Sequence, residues 1–227
     1  MGILPVSTLL SSPVQKLLSC MYADAEKTPR PPMVETPIEM DARERFHRLR
    51  HVYMAIPPDF GNLLYSLAVA TRAKTIVEFG TSMGVSAVIL ASALKDNGGG
   101  RLVTTEYEEE KIERARVNLS EVDLDSLVEF RAGDAMETLA NELPTAIDFL
   151  YLDGAKEMYL DVLKLVEPSL RPGAVVAADN TNHEGVESFL AYVRDPANGY
   201  VSSAIQTNSR DRGSSHEISI RSESDSD

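Results

Sequence analysis

Three oxygen-bearing residues close apolar runs late in the chain. Asp153 ends "AIDFLYLD", and Asp179 and Asn180 end "GAVVAADN". Two carboxylates and an amide carbonyl suit a hard cation such as Mg²⁺, with water or substrate completing its shell. Taken singly, each of the three also reads as a cap or turn residue. Without a cation, two facing carboxylates repel each other. Lys156 follows Asp153 by three residues, at the start of the next helical pattern. The helix macrodipole disfavours a cation there by tenths of a kcal/mol to about 1 kcal/mol. A lysine beside a metal has a lowered pKa, which suits a general base.

Earlier run ends carry a second group of residues. "EFGTSMG" ends the first strand pattern, with Glu78, Gly80 and Gly84. Glycine there permits a tight turn and close approach of a ligand, although the spacing is GxxxG and a plain strand-to-helix connection is the simpler reading. Glu106 closes "RLVTTE", the position at which an acid can hold both hydroxyls of a ribose. Taken alone it could cap the acid-rich helix that follows, but the glycine turn in front of it favours the ribose reading. In "GDA", Gly133, Asp134 and Ala135 follow the third strand pattern. Asp134 can cap a helix or accept from an adenine amino group, and both readings stay open. His47 and His51 lie four apart among arginines and read as a solvated helix face, whereas His183 is close enough to Asp179–Asn180 to line a pocket.

The elements that must position these residues alternate. Strand patterns at "TIVEFG", "RLVTTE", "LVEFRAGD", "AIDFLYLD" and "GAVVAADN" are separated by helix patterns, and "YVSSAIQ" and "HEISIRS" predict a closing hairpin. This order argues for an α/β fold with a parallel sheet and helices on both faces, whose ligands bind at the carboxyl ends of the strands. The 227 residues fit a single domain, 1–227. It divides into an N-terminal helical segment 1–55, a core 56–221 and an acidic tail 222–227 expected to be disordered.

The formal net charge of −13 disfavours phosphate backbones, so nucleic acid is not an expected partner. The basic stretch "RERFHRLR" reads as a solvated face. A lone cysteine, Cys20, makes no internal disulfide and fits a reducing compartment. No apolar run is long enough to span a bilayer. The start lacks a basic region before Pro5, and Val6 stands where a myristoylation motif on Gly2 wants Ser or Thr. A cytoplasmic location is expected.

In order along the chain, "VEFGTSMGVSA", "TTE", "GDA", "LDGAKEMYL" and "ADN" resemble the S-adenosylmethionine-dependent O-methyltransferases of the catechol and caffeoyl-CoA type. The resemblance covers roughly residues 56–221. It implies a Rossmann-like, doubly wound seven-stranded sheet, mostly parallel with an antiparallel last strand. It implies S-adenosylmethionine along Glu78, Gly80, Ser82, Ser86, Glu106, Gly133, Asp134, Ala135 and Asp153. It also implies a divalent metal, Mg²⁺ first, on Asp153, Asp179 and Asn180, with Lys156 as the base. The partner would be a small hydroxylated aromatic with two adjacent oxygens, and a homodimer is compatible. A hydroxylated tRNA base, a non-catalytic S-adenosylmethionine-binding role and a nicotinamide-dependent dehydrogenase are the competing readings. The absence of tryptophan and the short "TNHEG" segment after Asn180 leave the substrate open. The small pair Gly154–Ala155 is expected to widen the pocket.

Overall fold

The computed structural model describes residues 7–28, 42–207 and 214–222. Gly2, Pro5 and Val6, most of the proline-rich connector, Asp41 and the tail from residue 223 lie outside them.

Among the described residues, α1 (Ser12–Lys27), α2 (Ala42–Arg48) and α3 (Pro58–Ala70) precede the first strand. Prolines at the starts of α1 and α3 are pre-set for a helical first turn, where a backbone donor is not needed. The alternating region then gives β1 (Thr75–Phe79), α4 (Val85–Asp96), β2 (Arg101–Glu106) and α5 (Glu109–Ser120). It continues with β3 (Val128–Ala132), α6 (Ala135–Thr138), β4 (Ile147–Leu152), α7 (Tyr159–Val166), β5 (Leu170–Ala178) and α8 (Glu187–Arg194). The hairpin β6 (Tyr200–Thr207) and β7 (Ser214–Arg221) closes the fold.

The sheet of described residues has seven strands in the order β3-β2-β1-β4-β5-β7-β6. β1 to β5 pair in parallel, and β7 is antiparallel to both β5 and β6. This is a doubly wound, Rossmann-like arrangement closed by an antiparallel hairpin. Both faces are covered, so the central strands are apolar on both sides. Ile76, Leu102, Phe149, Tyr151, Val175 and Ala177 pack with α1, α3 and α4 on one face. Val77, Val103, Leu150, Leu152, Val176 and Ala178 pack with α7 and α8 on the other. The apolar stripe of α1, Val14, Leu17, Leu18 and Met21, belongs to the first of these clusters. No helix among the described residues is long and apolar enough to cross a membrane.

Candidate active site

Strand order turns back between β1 and β4, the switch point where such sheets form their crevice. A cavity of about 210 Å³ opens there. Its wall takes Phe79 and Gly80 from the end of β1, Ser82 from the turn, and Thr105 and Glu106 from β2. Gly133, Asp134 and Ala135 come from the β3–α6 junction, and Asp153, Gly154 and Ala155 from the end of β4. Phe46, Met54, Tyr107 and Met158 add apolar surface.

The glycine turn has a specific reason for its composition. Gly80 has φ +101, and a Cβ there would lie 2.8 Å from the Asp153 carbonyl carbon and 2.9 Å from the Gly154 nitrogen. The close approach is therefore between the β1 and β4 ends. The Phe79 carbonyl accepts from the Asp153 N–H at 2.8 Å, which locks the same two ends together.

Glu106 sits on the cavity rim with both oxygens engaged by backbone. Oε2 accepts from Ser82 N at 2.8 Å, and Oε1 accepts from Tyr107 N at 2.9 Å and Glu108 N at 3.0 Å. A carboxylate has about four acceptor positions, so this one can still receive hydroxyls. Asp134 caps α6 by accepting from Met136 N at 2.9 Å, and it also lines the cavity. One residue thus occupies both positions that its sequence context suggested.

Glu78 and Ser86 are placed differently from the other proposed cofactor residues: neither is in the cavity wall. Side chains alternate along β1, so Glu78 points with Ile76 under α4. It is fully buried, and Oε2 accepts from Thr104 Oγ1 at 2.5 Å while Oε1 has no partner. Burial pushes its carboxyl up to about 7, against hydrogen bonds from Ser86 and Thr104.

On the far side of Asp153 lies a second array. Lys156 Nζ donates to Asp153 Oδ1 at 3.3 Å and to Tyr159 Oη at 2.7 Å. Tyr159 Oη in turn donates to the Asp179 carbonyl at 3.1 Å, and Tyr151 Oη donates to Asp153 Oδ2 at 3.1 Å. The register pairs Leu152 with Ala178, so Asp153 and Asp179 are the next positions on adjacent parallel strands. Burial first, and repulsion from Asp179 second, push the Asp153 carboxyl upward, while Lys156 and Tyr151 pull it back. Asp179 Oδ1 accepts from Asn180 N at 2.7 Å, and Asn180 adopts φ +51.

A family model described as a methyltransferase domain matches residues 77–181. A catechol O-methyltransferase of Niastella koreensis is 33% identical over 135 residues, 58% of this chain and 60% of that enzyme. The chain superposes on cofactor-bound Rv0187 from MTB with TM-score 0.71 and 25% identity, covering 87% of this chain and 100% of that one. The O-methyltransferase TomG from Streptomyces achromogenes, solved in complex with SAM, gives TM-score 0.68 and 25% identity over 94% and 100% of the two chains. The chain is thus similar to O-methyltransferases of the catechol and caffeoyl-CoA type, and its residues 77–181 match a methyltransferase domain. The matched stretch spans about three fifths of the length of its curated catechol O-methyltransferase relatives, 60% and 59%.

The oxygen donors of this site fit a divalent cation. Asp153, partly buried, and Asp179, buried, lie on adjacent strand ends, and a cation would relieve their mutual repulsion. Among the described residues no three of His, Cys, Asp and Glu are grouped to hold a metal, so such a site depends on the Asn180 amide. The residues around this site that the sequence does not mark are Tyr151, Tyr159, Lys111, Met54 and His216. Tyr159 had a signal, since it follows Lys156 by three residues and would share its helix face. Gly154 corrects an expectation. A Cβ on it would meet the Phe79 ring at 2.5 Å, so its missing side chain makes room for Phe79 and not for substrate.

Proposed function

We propose that the chain transfers a methyl group from S-adenosylmethionine to one hydroxyl of a small aromatic with two adjacent hydroxyls, with a divalent cation on Asp153, Asp179 and Asn180. The observation that carries this reading is the position of Asp153. It forms part of the cavity wall and is also held by Lys156 and Tyr151 in the array beyond it. A ligand in the cavity and an acceptor beside Lys156 would meet at that one carboxylate.

In this reading the cofactor, when bound, would supply an electrophilic methyl, and the cation would lower a phenolic pKa from about 10. Glu106 accepts the ribose hydroxyls, Asp134 faces the adenine edge, and Asp153 balances the cofactor's ammonium. Lys156 Nζ takes the phenolic proton. Tyr159 and Asp153 hold that nitrogen in place. The apolar residues Phe46, Met54 and Met158 exclude water from the reacting groups.

The test is methyl transfer from labelled S-adenosylmethionine to a panel of catechols in Mg²⁺, with and without EDTA. Methylation of vicinal diols that EDTA abolishes is expected. No methylation of any of them would overturn the reading.

A further inference from the structure

Lys111 lies in the first turn of α5, where it follows three glutamates and would ordinarily face water. It is instead only 3% exposed and forms part of the cavity wall. Its Nζ lies 3.5 Å from Ser82 Oγ and 3.6 Å from Met54 Sδ, two long contacts to uncharged groups. Three carboxylates are close enough to act on its charge, Glu106, Glu108 and Asp153. Each has other partners. Glu106 accepts from three backbone N–H groups, Glu108 faces His47 at 3.2 Å, and Asp153 is held by Lys156 and Tyr151. Among the described residues, none of them lies within ion-pair distance of Lys111. Desolvation accordingly outweighs their attraction and holds the Lys111 ammonium below the usual lysine range.

A buried cation without a counter-charge is costly, and chains retain one where an anion arrives from outside. α4 starts beside it. Gly84, two residues beyond Ser82, is the residue before the first turn of this 12-residue helix. The free N–H groups of a helix start favour an anion. We propose that Lys111 binds the carboxylate of the cofactor's amino-acid part, held between its Nζ and the start of α4. This rests on the S-adenosylmethionine reading above and assigns a residue to the anionic end of that ligand.

The test compares S-adenosylhomocysteine with its decarboxylated analogue, which keeps the nucleoside, the thioether and the ammonium. Affinities for both are measured by calorimetry on the full chain, as wild type, Lys111→Met and Lys111→Arg. Lys111→Met is expected to weaken S-adenosylhomocysteine roughly 10- to 100-fold, the usual effect of losing a charge-assisted hydrogen bond. The analogue should change less than about twofold, and Lys111→Arg should recover most of the loss. Without ligand, Lys111→Met should melt at the same or a higher temperature, because an apolar side chain of similar length replaces a desolvated cation. Equal weakening of both ligands would overturn the proposal and make Lys111 a general support of the cavity. Unchanged cofactor affinity with a raised KM for a carboxylated catechol would overturn it in favour of an anionic acceptor. Failure of the wild type to bind either ligand is a separate result, which sinks the S-adenosylmethionine reading itself.

Discussion

His216 Nδ1 lies 2.7 Å from Asp179 Oδ1, with both side chains nearly sealed from solvent. The antiparallel register that pairs Ala178 with Glu217 makes them cross-strand neighbours. The contact is an ion-pair distance but is not aligned as a hydrogen bond. Phe60 stacks on the imidazole at 3.7 Å between ring centroids, and Thr207 Oγ1 is 2.8 Å from Nε2. The proposed metal ligand is thus braced from behind by β7. His216→Leu should lower stability by roughly 1–3 kcal/mol through loss of a buried polar partner. Urea unfolding measures this, and a change under about 0.5 kcal/mol would mean the pair is idle.

Asp179→Asn removes a carboxylate that is absent from the cavity wall. Metal-dependent methyl transfer should disappear, while S-adenosylhomocysteine titrated with no metal present binds within about twofold of wild type, a contrast calorimetry and a labelled assay can read together. Lost cofactor binding would mean that Asp179 acts inside the cavity.

Lys156 contacts Asp153 and Tyr159 but is likewise absent from the cavity wall. Lys156→Met should lower kcat roughly 10²- to 10⁴-fold with little change in cofactor affinity. An electron-poor catechol that ionises unaided should narrow the gap between variant and wild type. A defect of the same size on both acceptors would argue against a base.

Glu78 gives a pH prediction whose sign follows from its position. Its carboxyl is raised from 4.5 to about 7 by burial, so the folded state binds the proton more tightly than the unfolded chain. That contribution is complete below about 4.5 and is lost as pH rises through about 7. Stability should therefore fall across this window, by an amount of the order of 3 kcal/mol from this group. Glu78→Gln should flatten that part of the profile, and an unchanged slope in pH-resolved urea melts would refute the assignment.

Gly154→Ala should destabilise the protein by roughly 1–3 kcal/mol, because its Cβ would press on the buried Phe79 ring. Enlarging Ala155, which lines the cavity, should change ligand affinity instead. Thermal melts and binding titrations on the two variants separate these effects.

The residues that were legible in the sequence share one property: each interrupts a pattern. Asp153, Asp179 and Glu106 end apolar runs, and Gly80 breaks strand from helix, so a periodic reading finds them. Lys111 does not interrupt anything. In "EEEKIERAR" it looks like one more charge on a wet helix, and only the fold turns it inward. His216 similarly sits on an ordinary alternating strand, and its meaning depends on β7 being inserted beside β5. Gly154 misleads because smallness suggests space, whereas Phe79, far away in sequence, fills it. Glu78 shows a further limit. Its place at the strand end was plain, but whether it faced crevice or helix depended on the parity of one residue.

Asp153 borders both the cavity and the Lys156 array. In the proposed reading two ligands lean on one carboxylate, so their affinities are linked. Whatever factor the cofactor imposes on the cation's affinity, the cation must impose on the cofactor's. The two compartments would then report on each other's occupancy, and an empty one would leave its neighbour measurably different.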